Sequence, residues 1–470
     1  STYVTLKRRG ATLVGLCPFH NEKTPSFTVY PATQSFYCFG CGAGGDAITF
    51  VKKIENLDYL DAVKTLAQRA GLQMPQEGFD DSLSKRRRRI LEMNREAARF
   101  YHSVLLSPEG KVGYDYYIGR ALSAATINHF GLGFAPNQWD ALLKHMRAKG
   151  YQPAELVDAG LARKGQKGYY DNFRNRVMTP IIDVRGNVIA FGGRVLDDSK
   201  PKYINTGDTL VYKKTNELFA LNFAKDSKED ALILCEGYMD VIAMHQAGFT
   251  NAVASLGTAF TTQHAVLLKR YTDTVILTYD SDGAGVKAAL RAIPILKEVG
   301  ISTKVLNLKP YKDPDEFIKN MGADAFRERI ANAQNSFLYE IDVLKREYDL
   351  DDPEQKTKFY NAAARKLLEF SEALERDNYT RAVAQAQFIP YEDLRRLVNR
   401  LGSQLGMVPV RRRDEDRAEP RERKKKTEKD DGIRRSQRLL LTWLIERPQL
   451  FEKIEGIIGP DDFKQPLYHE

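Results

Sequence analysis

The sequence has 470 residues, of which 43% are hydrophobic and 28% are charged. This length suits about three domains of about 150 residues each, and the hydrophobic content excludes a wholly disordered chain. Because no run of about 18 apolar residues occurs and the first residues lack the apolar segment of a signal peptide, we expect a cytoplasmic protein without a membrane span.

The net charge of +9 is unevenly distributed along the chain. Residues 411–438 contain 13 Lys or Arg and 8 Asp or Glu, a net charge of +5. Mixed charge with few apolar side chains cannot form a core, so this tract is interpreted as a flexible linker in preference to a nucleic-acid-binding arm. Overall basicity is therefore weak evidence for a polyanionic partner.

Three of the four cysteines lie close together near the amino terminus. Cys17 and His20 form a C-x₂-H pair, and after 17 further residues Cys38 and Cys41 form a C-x₂-C pair. Two such pairs, each on a β-turn, supply the four nitrogen and sulfur ligands of a structural Zn²⁺ and leave no coordination position open. Cys235 lies inside an apolar run and is predicted to be a core residue.

Aromatic and basic residues surround these pairs. This combination suits single-stranded DNA, because bases stack on rings and phosphates pair with cations. A domain this small also needs rings for its own core, so we expect about half of them to serve only that purpose. The residues are Phe19, Phe27, Tyr30, Phe36, Tyr37, Phe39, Lys7, Arg8, Arg9 and Lys23.

A polar segment, residues 76–90, predicts a linker that runs into a helix, and its basic cluster 85–89 is more simply an exposed helical turn than a DNA contact. Residues 91–225 then mix helical and strand patterns and are rich in Gly, Arg and Lys. Within them, residues 163–214 hold 11 Lys or Arg and 5 Asp or Glu. Such an excess of positive charge indicates a position near phosphate.

Short apolar runs alternate with helical patterns in residues 226–312, which predicts a parallel sheet with helices on its faces. Residues 313–404 lack strand patterns and predict a helical domain. The charged linker is assigned to 405–435. Residues 436–470 begin another helical unit that the chain does not finish, so we expect a fragment of a longer protein.

Acidic residues follow the strands of the predicted sheet. Glu236 follows ALILC, Asp280 and Asp282 follow TVILTY, and KPYKDPDE supplies Asp313 and Asp315. In an open parallel sheet these positions gather in the crevice at the carboxyl ends of the strands. Clustered carboxylates select Mg²⁺ or Mn²⁺, and two such ions about 4 Å apart support phosphoryl transfer.

Each aspartate taken alone has a simpler explanation. Asp282 precedes a helical pattern and suits a helix N-cap, and Asp-Gly pairs mark turns. Only the convergence of several acidic residues favours metal binding. An EF-hand loop is not supported, because Arg291 stands where such a loop ends on a glutamate.

The pair EGYMDV and YDSDGAG resembles the signature of the Toprim domain, which primases share with topoisomerases and some nucleases. CPFHNEKTPSF and FYCFGCGAGGDAITFV extend the resemblance to bacterial replicative primases of the DnaG type, over nearly the whole chain. The resemblance implies a multidomain fold. Its parts are a β-rich zinc ribbon (1–75), a linker (76–90), an α/β polymerase domain with a basic first part (91–225) and a Toprim parallel sheet (226–312), a helical subdomain (313–404), a charged linker (405–435) and the start of a helical, helicase-binding domain (436–470).

The resemblance also implies a function: a DNA-templated RNA polymerase that makes short primers from ribonucleotides on single-stranded DNA. Glu236, Asp280 and Asp282 would bind the catalytic Mg²⁺ or Mn²⁺, with Asp313 and Asp315 as outer or third-ion ligands. The zinc domain would read the template, the terminal unit would bind the replicative helicase, and the core would be monomeric. The positions that match the family's phosphate-gripping ridge are Arg120, Arg194, Lys202, Asn205, Lys213 and Lys214.

Two other functions remain open at this level. A Toprim nuclease or topoisomerase would cut DNA, and a topoisomerase would need a tyrosine nucleophile, which nothing singles out among the 23 tyrosines. A zinc-dependent DNA-binding factor without activity is less consistent with the retained acidic residues. No G-x₄-G-K-[ST] motif occurs, so the chain is not itself a fused primase and helicase.

Overall fold

The computed structural model describes residues 3–20, 22, 24–55, 59–72, 82–405 and 439–442. Its packing divides the chain into two units, residues 1–395 and 396–470, and the described part of the second unit is almost entirely helical. The predicted charged linker lies outside the described residues beyond residue 405. No described helix has both the length and the apolar character needed to cross a membrane.

The amino-terminal part is a sheet of five short antiparallel strands followed by two helices. The strands pair in chain order, so each turn brings successive strands side by side. Asp46 caps the first helix through a bond from the Thr49 N–H to its side chain. The elements are β1 (Lys7–Arg9), β2 (Thr12–Gly15), β3 (Phe27–Tyr30), β4 (Ser35–Cys38), β5 (Gly44–Asp46), α1 (Ala47–Ile54) and α2 (Tyr59–Arg69).

The next part is a four-stranded antiparallel sheet in the order β11-β10-β9-β6, packed against a long helix. That helix begins at Ser82, so it occupies most of the segment predicted as a linker. The elements are α3 (Ser82–Leu105), a 3₁₀ turn (Pro108–Gly110), α4 (Lys111–Gly119), α5 (Ala124–His129), β6 (Gly133–Ala135), α6 (Ala141–Ala148), α7 (Pro153–Asp158), β7 (Ala162–Gly165), β8 (Gly168–Asp171), β9 (Arg176–Ile182), β10 (Val188–Val195), β11 (Tyr203–Asn205) and α8 (Leu221–Ala224).

The parallel sheet follows, with the strand order β13-β12-β14-β15-β16, and its first four strands run parallel as predicted. Successive strands are joined by helices, as parallel pairing requires. The elements are β12 (Leu232–Cys235), α9 (Tyr238–Gln246), β13 (Ala252–Ala254), α10 (Thr262–Leu268), β14 (Thr274–Thr278), α11 (Gly283–Glu298), β15 (Ser302–Val305) and β16 (Gln334–Asn335).

Both faces of this sheet are buried, which explains why its strands are continuous apolar runs. Alternate residues of a strand point to opposite faces. On β12, Leu232 and Leu234 join one hydrophobic cluster, whereas Ile233 and Cys235 join another. Cys235 is fully buried, so the prediction of a core residue is confirmed.

The remaining described elements are helical, except for β16, a two-residue strand that pairs antiparallel with β15. The prediction that this region lacks strands was therefore wrong at one point, because two residues are too few to show a period. Helix α12 packs on α9, and its backbone breaks at Gly322, where φ is +84°. The helices are α12 (Pro314–Ala331), α13 (Ser336–Lys345), α14 (Pro353–Leu367), α15 (Ala373–Ala386) and α16 (Tyr391–Gln404).

Candidate metal centres and nucleic-acid interface

The four predicted zinc ligands, Cys17, His20, Cys38 and Cys41, come together between two turns of the first sheet, with all ligand atoms within 4.8 Å of one another. Cys17 Sγ lies 3.8 Å from Cys41 Sγ, and Cys38 Sγ lies 3.6 Å from His20 Nδ1. Tetrahedral Zn²⁺, with Zn–S bonds of about 2.3 Å and Zn–N bonds of about 2.0 Å, needs separations of about 3.8 Å and about 3.5 Å. The cluster therefore fits Zn²⁺, and it is the one compact group of metal-ligating side chains found among the described residues.

Glu22 holds this cluster from outside, and the sequence analysis missed it. Its carboxylate accepts hydrogen bonds from the backbone N–H of Cys17 at 2.7 Å and of Ser26 at 2.9 Å, and it lies 3.3 Å from His20 Nε2. The Ser26 hydroxyl also donates to Glu22 and lies 3.2 Å from Cys38 Sγ. Carboxylates in this position fix the orientation of a ligating histidine.

The rings around the cluster divide between core and surface. Phe27 and Phe36 are buried, and Phe19 packs beside them. Phe39 is 68% exposed and meets Tyr37 edge to face at 5.1 Å. This division agrees with the expectation that about half of the rings serve only the core. Tyr30 is half-buried, and Lys7, Arg8 and Arg9 are exposed on β1, whereas Lys23 lies outside the described residues.

Glu236 and Asp280 meet at the carboxyl end of the parallel sheet. They follow the neighbouring strands β12 and β14, and the backbone N–H of Asp280 donates to Glu236 Oε1 at 3.1 Å. Burial raises the pKa of both carboxyls, and the negative charge of Asp280 raises that of Glu236 further. Lys312 Nζ, 3.6 Å from Asp280 Oδ2, opposes the rise at Asp280. The edge is thus a place where positive charge is needed to keep both groups ionised.

Asp282 caps α11, as its simpler explanation predicted. The backbone N–H groups of Ala284 and Gly285 both donate to Asp282 Oδ1 at 2.9 Å. Capping therefore uses one of the two carboxylate oxygens and is compatible with a ligand role for the other. A Cβ on Gly285 would lie 2.1 Å from the carbonyl oxygen of Asp280, so this turn requires glycine.

Asp313 and Asp315 begin α12 on the same side of the molecule, but they have different surroundings. Asp313 caps the helix by accepting from the Glu316 N–H at 2.8 Å, and its charge raises the pKa of Asp280. Asp315 is only 6% exposed, and its Oδ2 accepts from Arg120 Nη2 at 2.6 Å and from Lys319 Nζ at 2.8 Å.

A further carboxyl, Asp240, belongs to this edge and was not predicted. It lies in the first turn of α9, and its pKa is raised to about 8, mainly by burial and then by the charges of Asp313, Asp280 and Asp315. The available signal was its position in EGYMDV, at the start of the helix that follows Glu236.

Two residues of the predicted basic ridge lie on strands, Arg194 on β10 and Asn205 on β11, and Lys202 directly precedes β11. The Arg194 guanidinium lies 4.8 Å from the Tyr116 ring and 5.8 Å from the Tyr203 ring. Lys202 and Lys213 are exposed. Lys214 is half-buried, and its carbonyl oxygen is 2.9 Å from the imidazole of His264.

Asn205 links the ridge to the carboxyl end of the parallel sheet. The carboxylates that gather there form the acidic edge: Glu236, Asp240, Asp280, Asp282, Asp313 and Asp315. Its side-chain N–H donates to the Leu256 carbonyl at 2.8 Å, and its Oδ1 accepts from the Tyr238 hydroxyl. Tyr238 is the first residue of α9, two positions after Glu236. The structure therefore brings Asn205 close to the acidic edge but also gives it a structural role there.

One surface group was missed by sequence reasoning. Trp139 is 67% exposed, the Arg174 guanidinium lies 4.4 Å from its ring, and Tyr170 meets it edge to face at 5.6 Å. A large exposed ring that already stacks with a cation is suited to an unpaired base. The only sequence signal was one of two tryptophans within a polar turn.

A zinc ribbon, a basic antiparallel sheet and a parallel sheet with an acidic edge together define a class of zinc-containing nucleic-acid enzymes. Four family models match the chain. They are the CHC2 zinc finger over residues 1–81, the DNA primase catalytic core, N-terminal domain, over 100–225, a Toprim-like domain over 233–318, and the DnaB-helicase binding domain of primase over 339–386.

Individual relatives agree with these models. The chain is 42% identical over 388 residues to the DNA primase of Clostridium acetobutylicum, an alignment that covers 82% of this chain and 64% of that protein. It is 46% identical over 343 residues to the DNA primase of Pseudomonas putida, an alignment that covers 70% of this chain and 52% of that protein. The chain thus spans about half to two thirds of the length of these curated relatives.

Among solved structures, the zinc-binding and RNA polymerase domains of Aquifex aeolicus primase are 35% identical, with a TM-score of 0.55 and coverage of 84% of this chain and 94% of that one. The DnaG primase catalytic domain bound to single-stranded DNA is 33% identical, with a TM-score of 0.56, and the match covers 64% of this chain and 99% of that one. The chain belongs to the family of bacterial DNA primases.

The helicase-binding model matches residues 339–386, within α13 to α15. The sequence analysis assigned helicase binding to residues 436–470 instead, and those lie outside the described residues except for 439–442. Both this assignment and the other domain boundaries stay predictions.

Proposed function

We propose that the protein synthesises short RNA primers from ribonucleotides on a single-stranded DNA template. The observation that carries this proposal is the meeting of Glu236 and Asp280 at the end of the parallel sheet, next to a basic ridge joined to that edge through Asn205. Acidic and basic groups side by side suit a reaction in which phosphates must be both held and approached by metal ions. With replication as its role, the protein would act in the bacterial cytoplasm.

The acidic edge suits Mg²⁺ or Mn²⁺, because its side-chain donors are carboxylate oxygens. Glu236, Asp280 and Asp282 would hold the ions, with Asp313 and Asp315 as the predicted outer ligands. Bound there, two such ions would activate a 3′-hydroxyl and stabilise the leaving pyrophosphate. The raised pKa values of Glu236 and Asp280 favour ion binding at higher pH, where both carboxyls are ionised.

The basic residues have a separate task in this proposal. Arg120, Arg194, Lys202, Asn205, Lys213 and Lys214 would hold the phosphates of the ribonucleotide and of the template strand. The contacts of the Arg194 guanidinium with the rings of Tyr116 and Tyr203 limit its movement, so less entropy is lost when it binds a phosphate.

Two surfaces suit unpaired bases of the template. One is the exposed pair Tyr37 and Phe39 beside the zinc cluster, and the other is Trp139 with Arg174. Base–aromatic stacking contributes about 1–3 kcal/mol per base, so each surface can hold a strand without reading much of its sequence.

We also propose a replicative helicase as a partner. The family model for helicase binding covers most of α13 and all of α14 and α15. Two large apolar side chains, Leu374 at the start of α15 and Phe388 just beyond its end, are exposed. The polymerase core would be monomeric.

The test is incubation of the protein with single-stranded DNA, Mg²⁺ and labelled ribonucleotides, followed by a denaturing gel. Native protein should produce short RNA, whereas Asp280→Asn should abolish synthesis, by at least about a hundredfold, because the charge of a metal ligand is lost. Asp280→Asn should still bind single-stranded DNA. The matched control is Asp324→Asn on α12, which alters a 98% exposed carboxylate and should leave synthesis unchanged.

Near-normal synthesis by Asp280→Asn would refute the metal assignment. Cleavage of the DNA without RNA synthesis, across varied templates and metals, would replace the primase proposal by a Toprim nuclease or topoisomerase. Neither reaction, with DNA binding retained, would indicate a binding factor.

A further inference from the structure

Asp315 differs from the other carboxylates of the acidic edge because it is already paired. Its buried Oδ2 accepts from both Arg120 Nη2 and Lys319 Nζ, at 2.6 Å and 2.8 Å. Charge-assisted hydrogen bonds of this length are about twice as strong as neutral ones. A metal ion at the other oxygen, Oδ1, would bind a carboxylate that is only 6% exposed and whose negative charge two cations already offset. Asp282, in contrast, is exposed and accepts from backbone N–H groups.

The backbone next to Arg120 is held by a second contact, at the end of α9 that lies away from the acidic edge. Arg120 is the C-cap that follows α4, and the segment after it is held by Gln246, the last residue of α9. Gln246 donates to the Ala121 carbonyl at 2.8 Å and accepts from the Ser123 N–H at 2.7 Å. Arg120 is therefore anchored through its backbone to the helix that starts at the acidic edge, and through its side chain to Asp315.

We propose that Asp315 is a positioning residue that holds the Arg120 guanidinium against the acidic edge, where it binds a phosphate of the ribonucleotide or of the template, and that Asp315 is not a metal ligand. The contact to Asp315 involves Nη2, which leaves other guanidinium N–H groups for a phosphate. This inference rests on the proposed function. It replaces the prediction of Asp315 as an outer ligand and keeps Arg120 in the basic ridge.

The experiment compares Asp315→Asn with native protein, with Asp280→Asn and with the exposed control Asp324→Asn. Three quantities are measured: the KM and kcat for ribonucleotide in primer synthesis, the Kd for single-stranded DNA, and the binding of Mn²⁺ followed by electron paramagnetic resonance. Mn²⁺ binding requires no turnover, so it reports on ligands independently of activity.

For Asp315→Asn we expect the same number of bound Mn²⁺ ions as in native protein. Because the charge-assisted bond to Arg120 is weakened, either the KM for ribonucleotide or the Kd for single-stranded DNA should rise by about tenfold. The value of kcat should stay within about threefold. A raised KM with unchanged DNA affinity assigns Arg120 to the ribonucleotide, and weakened DNA binding assigns it to the template. Asp280→Asn should bind fewer Mn²⁺ ions.

Loss of a bound Mn²⁺ ion in Asp315→Asn, as in Asp280→Asn, would overturn the proposal. A ribonucleotide KM and a DNA Kd that both stay within about twofold of the control would overturn it as well. If Asp315→Asn does not fold, Asp315→Glu is measured instead, since it keeps the charge but shifts its position. Raised KM with native Mn²⁺ binding supports the proposal, and lost Mn²⁺ binding refutes it. If native protein makes no RNA, the proposed function fails, while Mn²⁺ binding and the affinity for a fluorescent ribonucleotide still decide the role of Asp315.

Discussion

Glu22 contacts the zinc cluster at several points, through the Cys17 backbone, the His20 ring and the Ser26 hydroxyl. The space for this arrangement depends on Gly40, since a Cβ there would lie 2.4 Å from His20 Nε2. A glycine between Cys38 and Cys41 is therefore required by the ring of the opposite ligand pair. The zinc ligands alone do not describe the site.

Replacing Glu22 with glutamine should weaken zinc retention, because the amide loses the charge that holds the His20 ring and the Cys17 backbone. Loss of such an outer contact typically costs about 10–100-fold in metal affinity. The measurement is the rate of zinc release to a colorimetric chelator, with the exposed Glu354→Gln as control. Equal release rates for Glu22→Gln and native protein would contradict the role of Glu22.

The zinc ligands were predicted from their short spacing in the sequence. The acidic residues were predicted from their positions directly after apolar strands. Asp240, Glu22 and Trp139 were not predicted. Their roles depend on what the fold places beside them: a buried acidic neighbourhood, a histidine ring, or an arginine from another element. No local pattern carries that information.

At the level of elements, α6 begins next to a buried carboxyl from another strand. Asp171, 2% exposed at the end of β8, accepts from the backbone N–H groups of Leu142 and Leu143 at 2.8 Å and 3.0 Å. Burial raises its pKa from 3.8 to about 6, although these two bonds oppose the rise. The cap of α6 is therefore coupled to pH.

The sign of this coupling follows from proton binding. Between the unfolded pKa of 3.8 and the folded value of about 6, the folded state binds more protons at Asp171, so its contribution to stability falls as pH rises. The loss amounts to about 3 kcal/mol. The unfolding free energy of native protein minus that of Asp171→Asn should thus decrease by this amount between about pH 3 and about pH 7.

Urea unfolding followed by tryptophan fluorescence measures this difference, because one of the two tryptophans, Trp139, accepts through its carbonyl from the Asp171 N–H at 2.8 Å. The comparison with Asp171→Asn cancels the other titrating groups. A difference that does not change with pH would mean that Asp171 titrates normally in the folded protein.

The strands of the parallel sheet were predicted from their sequence because burial on both faces makes each one a continuous apolar run. The element β16 was missed because its pairing with β15 is set by the tertiary fold. The helical turn predicted at residues 85–89 lies within α3, which begins at Ser82, inside the segment predicted as a linker, because its first turns are basic and polar. Periodicity thus identifies elements that bury a face and fails for those that do not.

For the whole molecule, the zinc ribbon has a hydrophobic cluster of its own, which includes the ligands Cys17 and Cys38 and shares no residue with the clusters around the two larger sheets. Zinc binding should therefore stabilise the ribbon and little else.

Chelation of zinc should release thiols that react with a thiol reagent and should impair use of the template, while most of the circular dichroism signal and the main thermal transition remain. Native protein treated with chelator and then resupplied with zinc is the control for irreversible damage. Collapse of the entire fold on chelation would show that the ribbon and the two sheets are not separately stable.

The bond between Tyr238 and Asn205 has a consequence for evolution and for protein engineering. It joins the first residue of α9 to the last residue of β11, and a Cβ on Gly192 of β10 would lie 2.8 Å from the Tyr238 ring. A chimaera that exchanges only the parallel-sheet domain with a distant relative would separate these partners. Grafts that keep β10, β11 and α9 from one parent should retain function, so these elements are expected to be inherited together.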